Sequence, residues 1–328
     1  MVHRLIQSLL IVSLLYSLQP SADSRDILII ESYHSGFKWS RDYVKAISES
    51  LPEFTVQHFQ MDTKRLPPVI YPARADKAWK VIQAIDPILI FLGDDNALQY
   101  LSHKISETNY PAVYLGINSN PRNTGIYKYK NITGVLERPL LKRSLITAKR
   151  ILPNLKKVLL LFDDSTTSHH TMQDFFQNKP VQTIGNIETH LLISNNFEYW
   201  QESIRQAKQK GYQAIWPGLY FTLNDESGKH VNSNDVIHWI STHSTLPLFA
   251  FWDFAVGKEK AIGGLVMTGR SQGYAAAKIA KDILNGTKPE NILPQIPKKG
   301  ELIYSKTQLK KWKITLPETI KLNSILLK

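Results

Sequence analysis

The chain has 328 residues, 43% hydrophobic and 21% charged, enough for two lobes with their own cores and unlike a disordered protein. It contains no cysteine, which excludes disulfides, thiolate catalysis, cysteine metal sites and lipid attachment through an N-terminal cysteine. The net charge is +12, and residues 298–328 hold half of that excess, with eight lysines against Glu301 and Glu318. With only Tyr304 and Trp312 among its lysines, this basic stretch does not read as a nucleic-acid groove. It reads as a solvated tail helix, with a patch for an anionic surface as the alternative.

Residues 1–24 have the layout of a secretory signal peptide. His3 and Arg4 precede the uncharged stretch Leu5 to Leu18, and small residues follow from Pro20 to Ser24. An apolar run of about 14 residues is short for a bilayer span of roughly 20. Export with cleavage is therefore expected over a retained anchor, giving a periplasmic protein with no lipid anchor.

Strand and helix patterns then alternate. Strands are predicted at Ile27 to Glu31, Phe54 to Phe59, Ile88 to Phe91, Ala112 to Leu115, Val158 to Phe162, Ile187 to Leu192, Ala214 to Trp216, Leu248 to Phe251 and Leu265 to Thr268. Helices are predicted at Trp39 to Ser50, Arg74 to Ile85, Asn96 to Ile105, Leu140 to Ile151, Phe197 to Lys210 and over the alanine-rich stretch Ala275 to Ala280. Apolar strands between amphipathic helices predict an α/β protein with parallel sheets covered on both faces. The pattern restarts after Asn131-Ile132-Thr133-Gly134, which predicts two doubly wound lobes. Residues 25–133 plus 251–267 are expected in lobe 1 and 134–250 plus 268–298 in lobe 2. Three crossings are expected, near Thr133, Phe251 and Thr268, with 299–328 as a basic tail.

Polar groups sit at the predicted strand ends. Asp94-Asp95-Asn96 and Asp163-Asp164-Ser165-Thr166-Thr167 each open a helix, which makes them N-capping segments or one shared cleft. Tyr33, Phe37, Trp39, Trp216, Tyr220, Phe221, Trp252 and Phe254 lie at the same kind of position. Each ring alone suits a core; together with Asp94, Asp95, Asn96, Asn118 and Asp253 they suit a small ligand with an apolar face and an ammonium or several hydroxyls. Asp253 is expected to accept a hydrogen bond from that ligand while its flanking rings pack behind. The alternative has the rings lining the pocket and Asp253 paired with a Lys or Arg.

Gly269-Arg270-Ser271-Gln272-Gly273 matches the nucleophile-elbow pattern G-x-S-x-G, but no histidine follows Ser271, so a secreted serine hydrolase is only a remote alternative. The histidines have no zinc spacing, and no phosphate-binding glycine loop occurs. Neither metal, cofactor nor nucleic acid is expected, and no enzymatic activity.

The run Ile27-Leu28-Ile29-Ile30-Glu31-Ser32-Tyr33-His34-Ser35-Gly36-Phe37-Lys38-Trp39-Ser40 resembles the opening of a subgroup of type I periplasmic solute-binding proteins. That subgroup also occurs as extracytoplasmic sensor domains of histidine kinases. Asp94-Asp95-Asn96-Ala97, Gly116-Ile117-Asn118, Asn131 to Val135, Asp164-Ser165-Thr166, Asn224 to Lys229, Pro247-Leu248-Phe249, Trp252-Asp253-Phe254 and Gly263-Gly264 continue the resemblance in order to about residue 300. It implies a bilobal monomer with a three-crossing hinge that closes around one small molecule, amino-acid-like or polyhydroxylated, and delivers it to an ABC-type importer. The alternative is a soluble ligand-sensing partner of a membrane histidine kinase or cyclase. Because the chain stops at Lys328 without a kinase, a separate permease or receptor is the expected partner. The ligand contacts so implied are Tyr33, His34, Trp39, Asp94, Asp95, Asn96, Asn118, Asp164, Ser165, Thr166, Tyr220, Phe221, Trp252 and Asp253.

Overall fold

The computed structural model describes residues 26–63, 65–138, 140–297 and 300–328, so the expected signal peptide at 1–24 lies outside the described residues. In β1 (Asp26–Glu31) successive side chains point to opposite faces, and both faces are apolar. Ile27 and Ile29 join one core with Trp39, Tyr43 and Ile47; Leu28 and Ile30 join another with Ala78, Ile82, Leu98 and Leu101. A strand buried on both faces needs helices on both sides. α1 (Lys38–Ser50) covers one, with Trp39, Tyr43, Ala46 and Ile47 on a single stripe. α2 (Tyr71–Ile85) and α3 (Asp94–Ser106) cover the other. With β2 (Thr55–Gln60), β3 (Leu89–Gly93), β4 (Ala112–Ile117) and β5 (Ile132–Leu136), β1 forms a parallel sheet in the order β2-β1-β3-β4-β5. A short α4 (Pro121–Thr124) follows β4.

The pattern restarts with α5 (Leu141–Ile151). β6 (Lys157–Phe162) leads through α6 (Thr166–Phe176) and the edge strand β7 (Val181–Thr183) to β8 (Glu188–Ile193). α7 (Phe197–Ala207), β9 (Ala214–Pro217) and α8 (Ser233–His243) complete a second sheet in the order β7-β8-β6-β9, parallel except for β7. Single bridges from Ile215 to Leu248 and from Phe249 to Gly263 carry it on to β10 (Gly263–Val266). α9 (Gly269–Leu284) follows, and β10 then pairs with β11 (Glu301–Ser305) and β11 with β12 (Ser324–Leu327). The segment Leu248 to Phe251, expected as a full strand, is held only by such bridges.

The expected lobe boundaries differ from these pairings. Residues 248–267 join the second sheet rather than the first, because Gly263 bridges Phe249 and β10 pairs with β11. The Gly-Gly pair makes this possible: at φ +125° and +153° only glycine is at ease, and a Cβ on Gly263 would lie 1.9 Å from the Ile303 carbonyl. Conversely, α9 lies against α1, β4 and β5, on the first lobe rather than the second. Gly269 and Gly273 let the helices touch, since Cβ atoms there would come within 2.3 Å of Trp39 O and 2.6 Å of Tyr43 O. The chain thus crosses between lobes after Leu136, around Thr268, and between Gln295, which bridges Val135, and Glu301. Thr133 lies within the first sheet, opposite Val113.

Residues 301–328 are not a solvated helix either. Ile303, Tyr304, Leu316 and Ile320 are buried, with α10 (Lys306–Lys311) and α11 (Glu318–Lys321) between the last two strands, and the lysines of both helices stay exposed. Among the described residues no helix is long and apolar enough to cross a membrane.

The α1–α9 contact gives a direct test. Gly273→Ala is expected to cost about 1–3 kcal/mol by forcing the two helices apart, read as a lower urea midpoint with unchanged slope. Lys278→Ala, on the exposed face of the same helix, is expected to stay within about 0.5 kcal/mol of the parent.

Candidate ligand-binding cleft

The carboxyl ends of the parallel strands carry the polar groups. After β1, Ser32 donates from its hydroxyl to Gly93 O (2.6 Å) and accepts from Ala97 N (2.8 Å). Ser32 therefore caps α3 from the neighbouring strand, and neither Asp94, Asp95 nor Asn96 serves as the cap. Nor does a side chain of the Asp163 to Thr167 run cap α6. Asp94 is free of that duty but held at φ +68°, a conformation that costs a non-glycine residue about 1 kcal/mol or more. Its carboxylate accepts from the indole of Trp39 (3.0 Å) and fits under Gly116, where a Cβ would meet it at 2.7 Å.

Each lobe uses one buried aspartate to fasten a neighbouring loop. Asp95, after β3, accepts from the backbone N–H groups of Asn118 (3.2 Å) and Ser119 (2.9 Å) after β4. Asp163, after β6, accepts from Phe221 N (2.8 Å) and Thr222 N (3.2 Å) after β9, and from the Ser168 hydroxyl. A carboxylate bridging two backbone donors is a strong, charge-assisted brace. It fixes the loops that form the walls.

Between these loops lies a cleft of about 640 Å³. Tyr33, Asp95 and Asn96 line it from the first lobe and Asp164, Ser165, Thr166, Asn195 and Thr222 from the second. Deeper in, and sharing Tyr33 and Thr167 as walls, is a chamber of about 20 Å³. Phe37, Trp39, Asp94, Asn118, Glu137, Leu219, Trp252 and Phe254 enclose it. Trp252 and Phe254 stack with centroids 5.9 Å apart, and Phe37 packs at 5.7 Å from Phe254 and 4.7 Å from Phe221. A first-lobe ring is thus seated among second-lobe rings.

Glu137 closes the back of the chamber, just after β5. Its carboxylate is 4% exposed and accepts from the Trp252 indole and from Asn118 Nδ2 (3.1 Å). Burial pushes its pKa up from the ordinary 4.5 to about 7; those two donors pull the other way. The neighbouring Arg138 is turned aside, donating to the carbonyls of Ile117 (3.0 Å), Asn118 (3.1 Å) and Glu137 itself (2.6 Å).

Residues 124–325 match the family model of the ABC transporter substrate binding protein. The chain belongs to this family. Among solved structures it is similar to a conserved domain protein from Vibrio cholerae O1 biovar El Tor, at 15% identity and TM-score 0.70, covering 93% of this chain and 100% of that one. It is also similar to an ABC domain from Streptococcus pneumoniae solved in complex with L-Trp (17%, TM-score 0.67, 92% and 99% covered). A third is CD0873, a substrate binding protein with adhesive properties from Clostridium difficile, solved ligand-free and open (15%, TM-score 0.66, 92% and 99%). No curated protein sequence matches.

Substrate-binding proteins of this family are not enzymes, and the G-x-S-x-G run has a packing role here. Ser271 donates from its hydroxyl to Thr268 O (2.8 Å), and the two glycines press on the backbone of α1. Of the residues singled out from sequence, Tyr33, Trp39, Asp94, Asp95, Asn96, Asn118, Asp164, Ser165, Thr166 and Trp252 line the cleft or its inner chamber. Four do not. His34 lies on the turn after β1, and Tyr220 and Phe221 stack behind the chamber with centroids 4.7 Å apart. Asp253 pairs with Lys38 across the lobes instead of facing the cavity, so the alternative with rings lining the pocket is the arrangement found. Glu137 was missed. Its only sequence signal is a charge directly after an apolar strand, which is also what an ordinary solvated strand end looks like.

The titration of Glu137 carries a sign. Its folded-state pKa lies above the unfolded one, so the associated stability is full below about pH 4.5 and is lost as pH rises through about 7. A shift of that size corresponds to about 3 kcal/mol. Urea denaturation from pH 4.5 to 8 is expected to show Glu137→Gln losing less stability across the window than the parent. Parallel curves would place the proton elsewhere, for example on Glu31 or Asp253, which burial also raises.

Proposed function

We propose that this substrate-binding protein works outside the cytoplasm, closing its two lobes around one small amphipathic solute and handing it to an ABC-type permease. The observation that carries the reading is the cleft at the strand ends of both sheets, backed by the ring-lined chamber. Open α/β sheets bind ligands at that edge. Contacts from both lobes make the closed form the tighter binder, so ligand shifts the population toward it. The family match favours the importer over a sensory kinase or cyclase partner. The L-Trp complex of the streptococcal relative supports an amphipathic solute of amino-acid size.

Native mass spectrometry of protein purified from its own host is expected to find one co-purifying small molecule. Adding that molecule to ligand-free protein should reduce the radius of gyration in small-angle scattering. An unchanged radius at saturation would count against closure.

A further inference from the structure

We propose that the second lobe carries a docking face for an anionic lipid surface, centred on α5 and continued by α11 and β12. From Leu141 to Lys157 the chain has six cations and no acid, and from Leu302 to Lys328 it has six lysines against Glu318. The fold brings the two stretches together. α5 packs on β10, β10 pairs with β11, and β11 pairs with β12. Arg150 of α5 donates to the Thr319 hydroxyl of α11 at 3.0 Å. α5 buries Leu141, Ser144, Leu145, Ala148 and Ile151, which leaves Lys142, Arg143, Ile146, Lys149 and Arg150 as one outer stripe. Lys149 and Arg150 donate to neutral oxygens, Asn186 O and Thr319 Oγ1, so their charge is not cancelled. Two acids at the border, Glu188 and Glu318, are already paired with Lys157 (3.2 Å) and Lys321 (3.8 Å). The stripe therefore presents a positive field to whatever approaches it.

Exposed apolar side chains choose between the anionic partners. Ile146 on the stripe is 40% exposed, Leu322 directly after α11 is 76% exposed, and Ile325 on the edge strand is 50% exposed. Ile325 sits in one lateral row with Ile303 and Gly264, on the side of the sheet that α5 covers, where Ser144 Oγ comes within 3.6 Å of a Cβ on Gly264. Apolar groups ringed by lysines and arginines are the composition of an interfacial membrane binder: the alkyl parts enter the headgroup boundary while the ammonium groups stay among the phosphates. An acidic protein surface would set Ile146 and Leu322 against charge. The described residues that line the cleft and its inner chamber all lie outside α5, α11 and β12, so the protein can rest on lipid with its cleft open to solute. The chain has no cysteine to carry a lipid, and adsorption through this face offers another means of keeping it beside a membrane partner.

The test is flotation with vesicles of phosphatidylcholine alone and of phosphatidylcholine mixed in equal parts with phosphatidylglycerol, at low ionic strength. The protein is expected to float with the anionic vesicles, not with the neutral ones, and to be released by added salt, which screens surface charge. Each cation near such a surface is worth roughly fivefold in partitioning. The double variant Lys142→Gln/Lys149→Gln is therefore expected to bind anionic vesicles about ten- to thirty-fold more weakly. Lys77→Gln/Lys80→Gln, at exposed positions of α2 in the first lobe, removes the same charge and is expected to bind as the parent does. Both sites lie on the surface, so both variants are expected to melt like the parent. Leu322→Ser, which removes no charge, is expected to weaken vesicle binding by a smaller factor. No flotation with anionic vesicles, equal flotation with neutral ones, or equal losses in the two double variants would overturn the proposal. Capture on poly-L-glutamate without vesicle binding would assign the face to an acidic protein and overturn it too. The solute-binding reading is tested separately by scattering and does not depend on any of these results.

Discussion

The buried Glu137 carboxylate is the point on which the rest of the site depends. It stands where the chain first leaves the first sheet, and it holds Asn118 from that lobe and Trp252 from the segment joined to the other. A carboxylate out of water is tolerated only with donors around it. The demand for those donors fixes the Trp252 indole, and Trp252 in turn stacks on Phe254 and packs on Phe162. One charge thereby sets the geometry of several rings. Because all of them lie at the joint between lobes, ligand chemistry and lobe geometry share the same side chains.

The two lobes reach their cleft-facing shape by the same physical device. In each, an aspartate at one strand end accepts from two backbone N–H groups of the next loop: Asp95 toward Asn118 and Ser119, Asp163 toward Phe221 and Thr222. Loops braced in this way need not be ordered anew when a solute arrives, which reduces the entropic cost of binding. The remaining polar groups of the cleft, Asn96, Ser165 and Thr166 among them, then project from a rigid frame. At Asp94 a left-handed backbone aims a carboxylate beneath Gly116.

The hinge is built from glycine. Gly263 and Gly264 bring β10 against β11, and Gly269 and Gly273 bring α9 against α1, so four missing Cβ atoms decide which lobe receives each returning segment. Gln272, one turn into that helix, accepts from Gly116 N and ties the second crossing to the turn that shelters Asp94. The latch between Lys38 and Asp253 adds a charge contact across the lobes close to the ring cluster.

The sequence by itself determined the layers. Runs such as Ile27 to Ile30 and Val158 to Phe162 are apolar at every position, so they had to be strands buried on both faces, and the stripe Trp39, Tyr43, Ala46, Ile47 had to be a helix lying on one of them. The strand-end clusters Asp94 to Asn96 and Asp164 to Thr166 followed from the same periodicity, because polar residues directly after buried strands have only the sheet edge to occupy. What the tertiary structure decided was partnership. Whether Asp253 met solute or lysine depended on Lys38, distant in sequence, and whether Glu137 was solvated or enclosed depended on where Trp252 came to lie. The same holds for the lobe of each crossing segment, since a glycine announces that something approaches closely but not what. Periodicity is a local property of the chain; burial of a charge and the choice of a packing partner are settled by groups a hundred or more residues away.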